Sequence, residues 1–242
     1  NDHHPIISMG EGGTPLLKAT NLGTMLGIPQ LYIKDERQNP TGSFKDRQAS
    51  ITVSALKEAG ITETVLAATG NVAISYSAYT SRAGIKLWAF LTSLVPSEKM
   101  REVAIYGTQV IKVTSTYDQT KKLAEEFAEQ RLKGSYLERG VRSIPALEAM
   151  KTIAFEISEQ LTSLMEAPSE NNTPISTPWI VPDWYVQAVS GGLGPVGVIK
   201  GFEELQAMEF TDSLPAVASI QSEGCAPMVQ AWKENLDQAK PV

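Results

Sequence analysis

The sequence predicts an α/β fold built on a largely parallel sheet, and three observations predict it. Short apolar runs of strand character recur along the chain. Longer segments between them repeat apolar residues every three to four positions, and Gly, Pro, Asn or Ser marks the changeovers. Strand and helix patterns in alternation are what helices laid over a parallel sheet require.

Taken in order, Leu31-Tyr32-Ile33-Lys34 alternates apolar and polar and reads as a short strand over 31–34. Asn39-Pro40-Thr41-Gly42 then breaks the chain, and Ser43 is a suitable N-cap for an amphipathic helix over 44–59. Strand patterns at 64–68, 87–91 and 109–113 alternate with helix patterns at 72–83, 97–106 and 117–132. A late strand over 184–189 leads through a glycine turn into a helix at 195–205, with a further apolar strand at 216–220. These strands are mostly apolar, as expected of a sheet covered on both faces. Residues 166–178 are rich in Pro, Asn, Ser and Thr without an apolar period and read as an exposed loop. No internal repeat is visible.

Composition bounds the function. A chain of 242 residues with 42% hydrophobic content buries one large core or two modest ones. Its net charge of −6 gives no overall basic field to recruit nucleic acid or an anionic membrane, so anionic ligands have to be caught locally. A single cysteine, Cys225, cannot form an intramolecular disulfide, lacks a neighbouring His or Lys to activate it, and is assigned no role. No apolar run approaches the roughly 20 residues of a membrane span and no secretory signal is visible, so a soluble cytoplasmic protein is expected. The chain begins at Asn1 rather than methionine, as expected of a processed chain or a piece of a longer one. His3 and His4 lie in that start; a terminal tail is the expectation there, and no metal is assigned.

Three segments carry chemistry. Lys45 falls in the first turn of the 44–59 helix, where amide N–H groups and the positive end of the helix dipole disfavour an ammonium ion. A lysine there is either a solvated surface residue or an amine meant to be neutral or covalently bonded, and a neutral amine is a nucleophile. Ser190-Gly191-Gly192-Leu193-Gly194 joins a buried strand to a helix with Pro195 near its start; this geometry gathers unpaired N–H groups into an anion site. The same segment formally matches the dinucleotide spacing G-x-G-x-x-G over 192–197, but the strand at 216–220 lacks the acidic residue that reading requires. Thr69-Gly70-Asn71 follows a strand and precedes a helix, so it is either a capping turn or a seat for a carboxylate.

At these residues the sequence resembles the fold-type II pyridoxal-phosphate enzymes, the tryptophan synthase beta-like family, and among them the threonine synthases most closely. The resemblance runs through Gly10-Glu11-Gly12-Gly13-Thr14-Pro15-Leu16, Lys34-Asp35-Glu36 and the Asn39 to Arg47 run. It continues in order through Thr69-Gly70-Asn71, Lys151-Thr152-Ile153-Ala154-Phe155-Glu156-Ile157 and the 190–194 glycine loop, covering about residues 7–232. It implies two doubly wound, largely parallel α/β domains with the cofactor cleft between them. The smaller would span 35–140, and the larger 1–34 plus 141–242, incomplete because the family continues past Val242 to the residue that meets the pyridine nitrogen. It implies pyridoxal 5′-phosphate as cofactor, bound as an imine by Lys45, with Phe44, Asn71, Ser190, Gly191, Gly192, Leu193 and Gly194 around it. Thr69, Gly70 and Asn71 would hold the carboxylate of an amino-acid substrate. The implied lyase reaction converts O-phospho-L-homoserine and water to L-threonine and phosphate for threonine biosynthesis, in a homodimer.

One departure bears on the substrate. Where the family carries Asn-Pro-x-Arg-x-Glu-Gly-Gln-Lys-Thr ahead of a helix, this chain has 143–152 with Ala146 at the arginine position, so the bidentate phosphate grip is missing where expected. Arg142 is either its substitute or a surface charge. Besides threonine synthase, the sequence therefore leaves open a cysteate synthase-like or serine/threonine ammonia-lyase-like enzyme, and a non-catalytic or truncated homologue.

Overall fold

The apolar run at 63–68 and the helix patterns around it fold into a parallel sheet with helices on both faces. The structure, a computed structural model, describes residues 6–68, 70–135, 140–165 and 178–239. His3, His4, Thr69 and, apart from Pro178, the loop expected at 166–178 lie outside the described residues. The elements are β1 (Leu16–Lys18), α1 (Thr20–Leu26), β2 (Tyr32–Lys34), α2 (Lys45–Glu58), β3 (Glu63–Ala68), α3 (Asn71–Ala83), β4 (Lys86–Thr92), α4 (Ser97–Ile105) and β5 (Gln109–Val113). They continue as α5 (Tyr117–Arg131), α6 (Ile144–Met165), β6 (Trp184–Ala188), α7 (Leu193–Ala207), β7 (Ala216–Ile220) and α8 (Pro227–Lys233).

Strands β3, β4 and β5 form one parallel sheet in that order, with Val65 opposite Trp88 and Trp88 opposite Gln109. The two-residue period of a strand sorts its side chains. Leu66, Ala68, Leu87, Ala89 and Leu91 pack with Ala49 and Val53 of α2 and Tyr79 of α3. Val65, Ala67 and Phe90 pack on the other face with Ala124 and Ala128 of α5, where Phe127 sits 5.2 Å from the Trp88 ring and 5.4 Å from Phe90. This sheet is covered on both faces, as its apolar strands predict.

A second parallel pair, β6 and β7, lies against α6 and α7. Here the expected two-sided cover fails: Tyr185 packs into the α6–α7 cluster, while Trp184 and Val186 are 64% and 56% exposed. Helices α6 and α7 approach closely because Gly197 and Gly201 leave room for backbone. A Cβ at Gly197 would stand 2.7 Å from Leu147 O and press on Met150 Cβ, and one at Gly201 would stand 2.7 Å from Lys151 O. Strands β1 and β2 form a separate antiparallel hairpin. Three details differ from the sequence reading. Strand β1 and helices α1 and α8 were not foreseen, residues 144–152 lie inside α6 rather than ahead of a helix, and α2 begins at Lys45 with Phe44 at the cap position. Ser43 still serves the turn by accepting from Lys45 N at 3.4 Å.

A buried ionic network ties these parts together. Arg47 of α2 donates to Glu36 through Nε and Nη2 at 2.8 Å each, and to Glu156 of α6 through Nη1 at 2.5 Å and Nη2 at 2.8 Å. Thr152 Oγ1 accepts from Arg47 Nη1 at 2.9 Å. Lys34 of β2 donates to Glu156 at 2.6 Å, and Gly13 N donates to the same carboxylate at 2.9 Å. The neighbouring Asp46 accepts from Thr41 N at 2.7 Å, Thr41 Oγ1 at 2.6 Å and Ser75 Oγ of α3 at 2.5 Å. Among the described residues no helix is long and apolar enough to cross a membrane.

Two stability predictions follow from these contacts. Valine and glycine differ little in helix propensity, so Gly197→Val tests packing alone; it is expected to cost about 1–3 kcal/mol, read as a lowered urea midpoint. For Glu156, burial pushes the carboxyl pKa up, but hydrogen bonds from Arg47 and Lys34 outweigh it and hold the group at about 2. Its folded pKa is depressed, so its contribution is full above the ordinary value of 4.5 and lost as pH falls toward about 2. Glu156→Gln is expected to lose about 3–5 kcal/mol at neutral pH and to show a flatter decline of stability across that acid window, measured by urea unfolding at a series of pH values.

Candidate active site

Five helices of the fold direct their N-terminal ends at one cavity of about 620 Å³, a volume typical of small-molecule sites, which span roughly 300–1,000 Å³. Its walls come from the starts of α2 (Phe44, Lys45, Gln48), α3 (Gly70, Asn71, Val72), α5 (Tyr117, Lys121), α6 (Ser143, Ala146) and α7 (Leu193, Gly194, Pro195). The ends of β3 and β6 add Ala68 and Gln187 to Val189, and Ser190, Gly191 and Gly192 close the glycine turn. The carboxyl ends of strands in open parallel sheets are where ligands settle, because helix N-termini converge there with N–H groups that have no intrahelical partner. The lining is also sorted by charge. Lys45 and Lys121 contribute two cations, and among the described residues no carboxylate lines the cavity.

Lys45 reaches the cavity because consecutive helical residues diverge by about 100°. Asp46 turns to the 39–44 loop and α3, Arg47 turns to α6, and Lys45 is left facing the opening between them. Its Nζ lies 4.5 Å from the Phe44 ring centroid and donates to Gln48 Oε1 at 3.3 Å. Gln48 Nε2 in turn meets Tyr76 OH at 3.4 Å, and Tyr76 OH donates to Thr52 Oγ1 at 3.1 Å. At the start of α3, Asn71 Oδ1 accepts from Lys99 Nζ at 3.3 Å. In the glycine turn, Gly192 has φ +81° and occupies the cap position of α7. L side chains adopt that conformation at a cost, so glycine is the suited residue. A Cβ at Gly191 or Gly70 would meet no atom within 4 Å, so backbone is open to a ligand at both turns.

The structure thus brings together Phe44, Lys45, Gly70, Asn71, Ser190, Gly191, Gly192, Leu193 and Gly194 from the sequence reading. Thr69 lies outside the described residues. Arg142 is exposed and is not a lining residue, although Gly140, Ser143 and Ala146 around it are. Sequence reasoning missed Gln48, Tyr76, Tyr117, Lys121 and Gln187. Gln48 was within reach of helix geometry, being three residues after Lys45; Tyr117 and Lys121 stand four apart at the start of α5, a spacing shared by any amphipathic surface face. Tyr185 sits behind the β6 end, where burial pushes its phenol pKa up and its hydroxyl donates to Gln187 Oε1 at 2.9 Å.

Comparison with known proteins bears on this cavity. Residues 7–242 match the family model described as pyridoxal-phosphate dependent enzyme. Threonine synthase of Methanocaldococcus jannaschii is 36% identical over 99% of this chain and 55% of its own length. That of Methanosarcina acetivorans is 33% identical over 97% of this chain and 54% of its own. The chain therefore spans about half the length of the curated relatives it matches. Among solved structures, a processed threonine deaminase isoform 2 from Solanum lycopersicum superposes with TM-score 0.72 at 22% identity, over 94% of this chain and 56% of that one. Maize serine racemase superposes with TM-score 0.75 at 19% identity, over 94% of this chain and 61% of that one. These similarities show the fold, that of the fold-type II pyridoxal-phosphate enzymes.

The cavity fits pyridoxal 5′-phosphate, the cofactor the family indicates. An aldehyde needs an amine, which Lys45 would supply, and a phosphate needs open backbone at a helix N-terminus, which Gly191 would supply ahead of α7. With the family model spanning nearly the whole sequence and the cavity suited to its cofactor, the chain belongs to the pyridoxal-phosphate dependent enzymes.

Proposed function

We propose that this chain carries the reaction centre of a pyridoxal-phosphate-dependent lyase of the threonine synthase type, converting O-phospho-L-homoserine and water to L-threonine and phosphate. The observation that carries this reading is the joint placement of the Lys45 amine and the 190–194 glycine turn in one cavity free of lining carboxylates among the described residues. The threonine synthases that match it over nearly all of its length support the choice within the family. The division into 35–140 and the remainder belongs to the same reading, supported by one core around β3–β5 and another around α6 and α7. So do a homodimer and a cytoplasmic location.

Each residue then has a role. Lys45 would hold the cofactor through its amine, the amides from Ser190 to Gly194 would hold its phosphate, and Asn71 would meet the ring oxygen beside the aldehyde. When bound, pyridoxal phosphate supplies an electron sink for charge that develops at the substrate Cα. Lys45 Nζ takes and returns protons at Cα and Cβ, a task that needs its amine beside those carbons. Gln48 Oε1 accepts from that amine and limits its swing. Gly70 and Asn71, with Thr69, offer the start of α3 to the substrate carboxylate, which fixes which face of Cα meets Lys45. Phosphate leaves from Cγ and water adds at Cβ.

Ala146 favours a second reading, an enzyme of the same family acting on another amino acid, in the manner of a cysteate synthase or a serine/threonine ammonia-lyase. Phosphate release from O-phosphohomoserine separates the two: retained cofactor without turnover sinks the threonine synthase reading. For the cofactor itself, the purified protein mixed with pyridoxal phosphate is expected to develop a visible absorption band that Lys45→Ala abolishes, and a wild-type protein without such a band would overturn the assignment of Lys45. Gly192→Val forces a branched side chain into φ +81°, at a strain of roughly 1–3 kcal/mol, and is expected to weaken cofactor affinity about tenfold in a spectroscopic titration.

A further inference from the structure

Lys121 stands in the cavity without a role in the scheme above. It lies one turn into α5, half-buried, with its Nζ 4.3 Å from the ring centroid of Tyr117, another lining residue. Among the described residues no carboxylate forms an ion pair with it. The adjoining wall is neutral: Ser143 brings a hydroxyl and Ala146 a methyl group, while Arg142 is exposed outside the lining. Of the two lining cations, Lys45 is committed to the cofactor and to proton transfer. Of the helix starts, α7 is committed to the cofactor phosphate and α3 to the substrate carboxylate. The starts of α5 and α6 remain for a further negative charge, and of these two only α5 brings a cation, Lys121, to the lining.

We infer that Lys121 is a substrate-binding residue that receives the distal phosphate ester of the amino-acid substrate, a deduction that rests on the reading of this cavity as one for a phosphorylated amino acid. A cation held against an aromatic ring beside a helix N-terminus, in ion-pair contact with no carboxylate among the described residues, is well placed for an oxyanion. It also supplies the charge that Ala146 cannot. As a single point charge rather than a planar fork, Lys121 grips a phosphate without fixing its rotation, so the residue sets charge preference more than orientation.

The test compares wild type, Lys121→Ala and Lys121→Arg, each loaded with pyridoxal phosphate. Titration with O-phosphohomoserine and with homoserine, read as the change in the cofactor absorption band, gives binding independently of turnover. Wild type is expected to prefer the phosphorylated ligand, Lys121→Ala to lose about 10- to 100-fold of that preference, and Lys121→Arg to keep most of it. In turnover, KM for O-phosphohomoserine rises in Lys121→Ala by the larger factor and kcat falls by the smaller, with the cofactor band unchanged. Equal preference in wild type and Lys121→Ala overturns the assignment even if threonine forms. Preference that depends on Lys121 while no threonine forms sustains it and sinks the reaction instead.

Discussion

Arg47 is the residue on which the geometry of this chain turns. Its guanidinium, with 3% of the side chain exposed, is shared between Glu36 and Glu156, and Lys34 balances the second carboxylate. Two positive and two negative charges leave the set neutral, which is the condition under which buried ions are tolerated. Desolvation costs each of these ions several kcal/mol, and attraction between partners offsets that only when lone pairs and protons are all used. They are used here: Thr152, Thr14 and Gly13 N complete the set. Such a network contributes little that a well-packed apolar cluster would not. What it does contribute is position, because charges with fixed partners admit one arrangement where apolar side chains admit several.

That position is what the cavity requires. The network binds α2 to α6 and to the hairpin of β1 and β2, while Asp46 binds the same helical turn to α3 through Ser75. The start of α2 is therefore held from two directions by the residues that follow Lys45. The amine we propose to serve both a cofactor and protons at adjacent carbons tolerates little drift in its backbone, since misplacement by about 1 Å costs orders of magnitude in rate. Burial pushes the Lys34 amine pKa down, yet the nearby carboxylates keep it a partner rather than a bystander.

Much of the fold was legible because its signals are local. The strands at β3, β4 and β5 are apolar runs, and the helices between them carry an apolar period, so neither needs knowledge of distant residues. Helix α1 and strand β1 escaped because they are short and their apolar residues, Leu17, Leu22, Met25 and Leu26, remain exposed and follow no core face. The length of α6 escaped because its first turns hold Pro145 and small residues that read as a loop. Of the site, Lys45 and the glycine turn were legible from strand-turn-helix chemistry. The Arg47 network was not: its partners lie 11 and 109 positions away, and sequence order says nothing about which charges meet. Lys121 was hidden for a related reason, since a lysine on an amphipathic helix is ordinarily a solvated one.

The six sequence segments that carry the family resemblance divide between these two tasks. Glycines 12 and 13, Lys34 and Glu36, Arg47, and Thr152 with Glu156 serve the network, while Lys45, Gly70 with Asn71, and Ser190 to Gly194 serve the cavity. The run from Asn39 to Arg47 belongs to both, which explains the density of functional groups across this loop and the first turn of α2. A chain of net charge −6 thus keeps its carboxylates off the cavity wall among the described residues, with buried or half-buried ones such as Glu36, Glu156 and Asp46 bound to partners away from it. The result is a local positive field within a negative molecule. An anion small enough to enter meets those cations and helix starts at close range, where they outweigh the more distant negative charges of the molecule.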